Sequence, residues 1–264
     1  MRHDDNYQVT APALAMGGET LHPFLGNSTA AGHGYKREPM NPLDVQQGQT
    51  ALDMGCGPGA DLPALAERVG VSGAVVGVDR DPAMLTEARR RTTDLPVVEI
   101  REGDAHSLPV APEPVDRAKN DRVLMHVAEP ADALAQLHSV TRPGARIGLA
   151  EPDRDTLTVD AEDLGTSRAF TRYPTSEVVR HATIGRSLVR HAEQAGFTVE
   201  TVIATTPVFL DFQDADHTLG LGRTLQQAID DGHIDEERGR RRFTSLSEGT
   251  FFASFMFVSV VCSR

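Results

Sequence analysis

A glycine-rich turn follows a short apolar run, and an aspartate stands just before it. The run Thr50–Met54 leads into Gly-Cys-Gly-Pro-Gly, and Asp53 lies two positions before Gly55. Glycines in such a turn let a ligand approach the backbone closely. A carboxylate at this place repels a pyrophosphate but attracts an ammonium or sulfonium group. The turn therefore indicates a ligand that is positively charged at this end.

A second acidic residue, Asp79, ends the next apolar run, about 20 residues beyond the turn. By spacing alone, Gly55, Gly57 and Ala60 also satisfy the relaxed fingerprint of nicotinamide-dinucleotide proteins, in which such an acid binds the ribose. A dehydrogenase is therefore an alternative interpretation. Asp53 is the residue that argues against it.

Strands and helices alternate around these residues. Apolar runs predict strands at 50–54, 74–78, 97–100, 115–119, 146–150, 197–204 and 251–262. This alternation indicates a mainly parallel sheet with helices on both faces, which binds ligands beyond the carboxyl ends of its strands. Two segments, about 153–185 and 207–250, are too long for plain loops. We predict that they form helical insertions that cover this end of the sheet as a lid.

Five segments in chain order resemble the motifs of class I S-adenosylmethionine-dependent methyltransferases. They are DMGCGPG at 53–59, VGVDRDPAML at 76–85, GDA at 103–105, DRVLMH at 121–126, and RPG at 142–144 with EP at 151–152. The resemblance implies a Rossmann-like α/β fold whose seven-stranded sheet has an antiparallel last strand. It implies S-adenosylmethionine as the cofactor. We predict an N-terminal arm over residues 1–40 and the methyltransferase domain over 41–264.

The resemblance assigns five residues to the methionine and ribose parts of the cofactor. Gly55 and Gly57 would pass beneath the methionine part, and Asp53 would organise its α-ammonium, directly or through water. Asp79 would accept hydrogen bonds from both ribose hydroxyls, with a helix-capping acid as the alternative. Asn120, at the end of the fourth strand, would bring a backbone carbonyl toward the ammonium.

The resemblance assigns a further group to the adenine end. Arg80 would lie beside the adenine, unless it is a solvated surface arginine. Asp104 would receive the adenine amino group, with Ala105 and His106 shaping that edge; the alternative for Asp104 is a turn aspartate. Tyr35 would close over the cofactor from the arm, or belong to a mobile loop.

Three polar residues after the fourth and fifth strands are candidates for acceptor chemistry. His126 follows the fourth strand and is the candidate general base, because a histidine titrates near neutrality. The alternative is a structural histidine bonded to the backbone. Glu151 is the second catalytic candidate, and Asp153 is a candidate for gripping the acceptor. We expect no metal ion.

Side chains of the first insertion are candidates for contacting the acceptor, with ordinary packing as the alternative. They are Phe170, Tyr173 and His181. The predicted function is methyl transfer to oxygen, nitrogen or carbon of a small organic acceptor, in natural-product and antibiotic biosynthesis. The alternative keeps the fold and the cofactor but catalyses a non-methylating reaction such as a cyclisation.

The overall composition limits the remaining function classes. The 264 residues carry a formal net charge of -12, which disfavours nucleic acid and anionic membrane surfaces as partners. Two cysteines cannot build a disulfide framework or a thiolate metal cage. No secretory signal or membrane span is recognisable, so we expect a cytoplasmic protein with a small-molecule substrate. Whether it is a monomer or a homodimer is left open.

Overall fold

A computed structural model describes residues 43–112 and 114–264 of the chain. The predicted N-terminal arm, with Tyr35, lies outside the described residues. Within the described ranges, no helix is both long and apolar enough to cross a membrane. These ranges cover nearly all of the predicted domain.

Strands and helices alternate through most of the described chain. The strands are β1 (Thr50–Met54), β2 (Ala74–Asp79), β3 (Val98–Glu102), β4 (Val115–Asp121), β5 (Thr141–Val159), β6 (Thr198–Thr205), β7 (Val208–Phe209) and β8 (Ala253–Ser263). The helices are α1 (Leu62–Val69), α2 (Pro82–Arg91), α3 (Pro130–Val140), α4 (Leu164–Tyr173), α5 (Ile184–Gln194), α6 (Phe212–Leu219), α7 (Leu221–Asp230) and α8 (Glu236–Ser247). A π-helical turn, Pro174–Val178, follows α4.

The strands form one sheet in the order β3-β2-β1-β4-β5-β8-β6, and the two-residue β7 pairs with β8. The strands from β3 to β5 are parallel, whereas β8 runs antiparallel to both β5 and β6. The predicted α/β fold with an antiparallel last strand is confirmed. Because parallel strands end at the same edge, the residues that follow β1 to β5 lie together at one edge of this sheet.

Strand β5 is longer than the sequence pattern indicates. It continues to Val159, because its pairing with β8 resumes at Thr158 after an irregularity that follows Asp153. The helical part of the first insertion therefore begins only at Leu164.

Each face of the sheet has its own apolar core. One core contains Leu52, Met54 and Ala118 and packs against α3 and α5. The other contains Ala51 and packs against α1 and α2. Because successive strand residues point to opposite faces, Asp53 and Lys119 lie on the α1 face. The helices α4, α6, α7 and α8 are here named the helical insertion. A third apolar cluster packs them against the neighbouring ends of β5 and β8.

Candidate active site

The glycine-rich turn is held against the end of β2. The N–H groups of Gly55 and Cys56 both donate to the carbonyl of Val78, at 2.7 and 2.9 Å. Gly55 has a φ of +78°, and a Cβ there would lie 2.1 Å from a methyl carbon of Val123. Only glycine therefore fits at this position without a rearrangement of the turn.

Gly57 differs from Gly55 in the free space that a Cβ atom would find there. Its φ is +52°, and a Cβ built at this position meets nothing within 4 Å. The positive φ makes a side chain unfavourable, although neighbouring atoms leave room for one. The turn thus presents bare backbone to open space, as a ligand that lies along it requires.

Asp79 connects the glycine turn to the two neighbouring segments. One carboxylate oxygen accepts the N–H of Gly57 at 2.8 Å, and the other accepts the N–H of Asp81 at 2.9 Å. The carbonyl of Asp79 accepts the N–H of Gly103 at 3.0 Å. A carboxylate oxygen can accept more than one hydrogen bond, so Asp79 retains acceptor positions for two ribose hydroxyls. Asp81 caps α2 instead, by accepting the N–H groups of Ala83 and Met84.

The segment after β3 is built around the pair of Asp104 and His106. Asp104 accepts both the backbone N–H of His106 at 2.8 Å and its ring Nδ1 at 2.5 Å. Both interactions lower the pKa of Asp104, and the hydrogen bond from the backbone N–H has the larger effect. His106 Nε2 accepts the N–H of Glu129 at 3.2 Å, which assigns the remaining ring proton to Nδ1. His106 therefore bridges two loops, and the adjacent Ala105 is half-buried against the apolar core.

Arg80 and Asn120 occupy different environments at this edge. Arg80 is exposed, and its charge acts on both Asp104 and His126. Asn120 is fully buried, and its amide nitrogen lies 3.4 Å from the carbonyl of Met54. Its side-chain oxygen has no hydrogen-bond partner among the described residues. This orphaned acceptor lies beside the end of β1, where the cofactor's ammonium is predicted.

A buried charge cluster lies beneath the glycine turn. Lys119 Nζ lies 3.8 Å from Asp53 Oδ2 and forms an ion pair with Asp61. Burial is the largest influence on Asp53 and raises its pKa. The charge of Lys119 lowers this pKa and nearby carboxylates raise it, and the net result is a pKa of about 7. Burial alone would lower the pKa of Lys119, but the surrounding carboxylates outweigh it and raise the pKa. Neither Lys119 nor Asp61 was singled out as a site residue from the sequence, because their common position beside Asp53 depends on the register of β4 with β1 and on the path of the glycine turn.

Glu151 is fully buried rather than open to an acceptor. Its Oε1 accepts the N–H groups of Val123 and Leu124, at 2.8 and 2.6 Å, and so anchors the turn that follows β4. Burial raises the pKa of Glu151 to about 8 despite these hydrogen bonds. Glu151 therefore supports the turn that carries His126. Its catalytic role stays a prediction, because its buried side chain is not open to an acceptor.

Replacing Glu151 by glutamine should flatten the dependence of stability on pH. Because the pKa of Glu151 is higher in the folded chain than in the unfolded one, its contribution is fully present below about pH 4.5 and is lost as pH rises through about 8. We expect wild type to lose on the order of 2 kcal/mol more unfolding free energy than Glu151→Gln between pH 6 and 9. Urea unfolding at both pH values measures this difference.

The exposed Glu67 of α1 gives the matched control, since Glu67→Gln removes a carboxylate that is not buried. It should leave the wild-type pH dependence unchanged. Asp53 titrates in the same range in all three proteins and cancels from the comparison. Identical pH dependence in wild type and Glu151→Gln would contradict the buried-carboxyl interpretation.

Asp153 is also fully buried, and its carboxylate is engaged by Arg186. Arg186 Nη2 lies 2.8 Å from one oxygen of Asp153, and Nε bonds the other oxygen. This two-point ion pair joins the start of α5 to the part of β5 just before its irregularity. Substrate gripping by Asp153 stays a prediction that the geometry does not favour, because no part of its side chain is exposed.

His126 lies on the turn after β4 and is exposed. Desolvation by the surrounding protein has the largest effect on the pKa of His126. The positive charges of Arg154, Arg80 and Arg122 add to it, and together they lower this pKa to about 4. Arg122 itself has a φ of +58°, uncommon for a residue with a side chain. The imidazole is therefore neutral at physiological pH and can accept a proton.

The three acceptor candidates of the first insertion lie in two places. Phe170 and Tyr173 are buried in the cluster of the helical insertion, where the Tyr173 hydroxyl donates to Asp231. His181 is half-buried, and its Nε2 lies 3.1 and 3.2 Å from the carbonyls of Val127 and Ala128. Phe170 and Tyr173 thus act as packing residues in this structure, and their contact with an acceptor stays a prediction.

His181 also lines a cavity of about 290 Å³ at the start of α5. Its other polar side chains are three hydroxyls, two arginines and a histidine, with no acidic residue among them: Thr175, Arg180, Thr183, Ser187, Arg190 and His191. This is a locally positive surface on a strongly acidic chain.

The residues at the sheet edge fit the cofactor that the resemblance implies. The open backbone at Gly57 and the acceptor positions of Asp79 suit a nucleoside with its ribose at the end of β2. The carboxylate of Asp53 and the orphaned oxygen of Asn120 suit a cationic group at the end of β1. Residue-level contacts with the cofactor stay predictions.

Comparison with known proteins agrees with this geometry. A family profile described as a methyltransferase domain matches residues 46–198. A 37.1 kDa protein in transposon TN4556 of Streptomyces fradiae is 47% identical over 234 residues, which covers 89% of this chain and 68% of that protein. A 2-phytyl-1,4-naphtoquinone methyltransferase of Thermosynechococcus vestitus is 35% identical, over 45% of this chain and 53% of that enzyme. An arsenite methyltransferase of Halobacterium salinarum is 30% identical, over 66% of this chain and 44% of that enzyme. The matches to these two enzymes thus span about half of each enzyme's length.

Solved structures share the fold at low sequence identity. A protein of Bacillus halodurans superposes with a TM-score of 0.63 at 17% identity, over 86% of this chain and 96% of that one. Geranyl diphosphate C-methyltransferase of Streptomyces coelicolor, solved with S-adenosyl-L-homocysteine, gives 0.57 at 16% identity, over 86% and 78%. The [4+2]-cyclase SpnF gives 0.56 at 18% identity, over 86% and 78%.

The family profile covers more than half of the chain and includes the glycine turn, Asp79 and the turn after β4. The dehydrogenase alternative is not supported, because the matching family is one of methyltransferases. The strand order and the antiparallel β8 agree with this family as well. The chain therefore belongs to the methyltransferase-domain family and is a class I S-adenosylmethionine-dependent methyltransferase.

Proposed function

We propose that the protein transfers a methyl group from S-adenosylmethionine to oxygen, nitrogen or carbon of a small organic acceptor in natural-product biosynthesis. The observation that carries this proposal is the bare, open backbone at Gly57 beside the Asp79 carboxylate. Fold-level neighbours that act on small molecules, such as the geranyl diphosphate enzyme, support the acceptor class.

The chain's own residues divide the work at the sheet edge. When bound, S-adenosylmethionine supplies a methyl carbon already activated by its sulfonium. Asp79 fixes the ribose, and the Asp53 carboxylate holds the cationic amino-acid end. His126 is exposed on the turn after β4 and neutral at physiological pH, so it can accept the acceptor's proton, although its low pKa makes it a weaker base than an ordinary histidine. The remaining work is to align the acceptor and exclude water.

Replacing His126 by glutamine should lower turnover without weakening cofactor binding. Loss of a general base lowers the rate by about 10²–10⁴-fold. Because the pKa of His126 is about 4, its base form is fully present above about pH 5.5, and it should produce no acid limb near pH 6.5. Rates from pH 5.5 to 8 and titration with S-adenosylhomocysteine measure both effects. Unchanged turnover in His126→Gln would overturn the base assignment, and an acid limb near pH 6.5 that disappears in this variant would contradict the lowered pKa of His126.

The acceptor is best sought among organic molecules with an acidic group. The locally positive cavity at the start of α5 adjoins the His126 turn through the bonds of His181 to Val127 and Ala128. Quinone methyltransferases among the relatives make phenolic acceptors a reasonable first panel. Arsenite is a poor candidate, because Cys56 and Cys262, the chain's two cysteines, are buried and burial raises the pKa of each thiol.

A second candidate function is a non-methylating cyclisation, which the structural similarity to SpnF keeps open. The two functions differ in one product. Incubation with S-adenosylmethionine and the acceptor panel, followed by mass spectrometry, should give S-adenosylhomocysteine and a product heavier by one methylene. A transformed acceptor of unchanged mass, with no S-adenosylhomocysteine, would replace methyl transfer by the second function.

A further inference from the structure

Lys119 is an unusual residue for the interior of a parallel sheet. It is 7% exposed and pairs in register with Asp53 across β4 and β1. Asp53 is 2% exposed, and the 3.8 Å between Asp53 Oδ2 and Lys119 Nζ is an ion pair longer than a hydrogen bond. A lysine is almost never buried to this degree unless it is paired.

Asp61 supplies the second carboxylate of this cluster. It occupies the N-terminal cap position of α1, but its side chain makes no capping hydrogen bond to the helix. Its carboxylate bonds Lys119 Nζ instead. Asp53 precedes the glycine turn and Asp61 follows it, so a single ammonium group joins the two ends of the turn.

The charges around Asp53 explain why the cluster needs this cation. Carboxylates act on it from three elements: Asp121 from β4, Asp61 from the start of α1 and Asp79 from β2. Lys119 is the one cation among the groups that act most strongly on Asp53 within the described chain. Burial and three like charges all disfavour an ionised Asp53, so its charge depends on Lys119.

We propose that Lys119 is a positioning residue for the cofactor: it keeps Asp53 ionised and ties both ends of the glycine turn, so that Asp53 can receive the α-ammonium of the amino-acid end. This inference rests on the proposed function. It also explains why Lys119 is bonded to Asp61 rather than closely to Asp53, whose carboxylate then remains able to bind a second cation.

The test compares two ligands that differ only at the amino-acid end. S-adenosylhomocysteine has the α-ammonium, whereas 5′-methylthioadenosine lacks the entire amino-acid group. Calorimetric titrations at pH 6.5, 7.5 and 8.5 use wild type, Lys119→Met and the charge-preserving Lys119→Arg. Arg117→Met is the matched control, because Arg117 is a buried cation on the same face of β4 that bonds the carbonyls of Asp44 and Asp116.

We expect Lys119→Met to bind S-adenosylhomocysteine about tenfold or more weakly at pH 7.5, which requires the pKa of Asp53 to rise by about 1.5 or more from its value of about 7. Its affinity for 5′-methylthioadenosine should stay within about twofold of wild type. The deficit should shrink at pH 8.5, where Asp53 ionises without help, and Lys119→Arg should restore most of the affinity. Arg117→Met should match wild type for both ligands.

Three outcomes would overturn the inference. Parallel losses for both ligands would make Lys119 a structural support of the turn, and tighter S-adenosylhomocysteine binding by Lys119→Met would make it a competitor for Asp53. A deficit that does not change with pH would remove the role in ionisation. If wild type binds neither ligand, the proposed function itself fails; if wild type binds both and Lys119→Met behaves identically, only this inference fails.

Discussion

Asp79→Asn should weaken the binding of S-adenosylhomocysteine by roughly 10- to 100-fold. The variant loses a charged acceptor for the ribose and one of the two backbone N–H bonds that the carboxylate accepts. A hydrogen bond to a charged group contributes about 1.5–3 kcal/mol, which sets this range. Isothermal titration calorimetry gives the affinity directly.

The ligand pair distinguishes Asp79 from Lys119. Because 5′-methylthioadenosine keeps the ribose, Asp79→Asn should weaken it in parallel with S-adenosylhomocysteine. Asp81→Asn is the matched control: it removes a carboxylate two residues away, and asparagine replaces aspartate well as a helix cap. Equal losses in both variants would show a general charge effect and contradict a ribose contact by Asp79.

Gly55→Ala and Gly57→Ala should fail in different ways, although both place a side chain at positive φ. At Gly55 the new methyl would collide with Val123, so strain and overpacking together should cost about 2–5 kcal/mol of unfolding free energy. At Gly57 the methyl enters open space, so strain alone should cost about 1–2 kcal/mol. That same space is where we place the cofactor.

Denaturant unfolding and ligand titration separate the two effects. Gly57→Ala should lose S-adenosylhomocysteine binding out of proportion to its small loss of stability. Gly55→Ala should show the larger loss of stability. A Gly57→Ala variant that binds the ligand as well as wild type would remove the cofactor from this side of the turn.

Short-range signals predicted the fold and the edge at which the site lies. The turn at Gly55, the acid Asp79 at the end of β2 and the start of α2 at Pro82 each depend on neighbours within a few residues. The sheet order then brings the ends of β1 to β5 together, because parallel strands end at one edge. A sequence with these signals in order therefore predicts most of the residues that lie at the edge where we expect the cofactor.

Long-range pairing determines the environments of Glu151 and Asp153, which the sequence analysis did not predict. The partners of Glu151 are N–H groups about 28 positions earlier, and the partner of Asp153 is Arg186, about 33 positions later. A carboxylate after a strand has the same local pattern whether it faces solvent or is buried in such a pair. Lys119 lies beside Asp53 because β4 pairs with β1 in this register, which the alternation of residues within β4 alone does not reveal.

We expect this sheet edge to bind an adenosyl cofactor and no dinucleotide. Calorimetric titration of the wild-type protein with S-adenosylmethionine, S-adenosylhomocysteine and NAD⁺ tests it directly. We expect binding of both adenosyl ligands in the micromolar range and none of NAD⁺, because Asp53 beside the glycine turn repels a pyrophosphate. Binding of NAD⁺ without binding of either adenosyl ligand would contradict the claim.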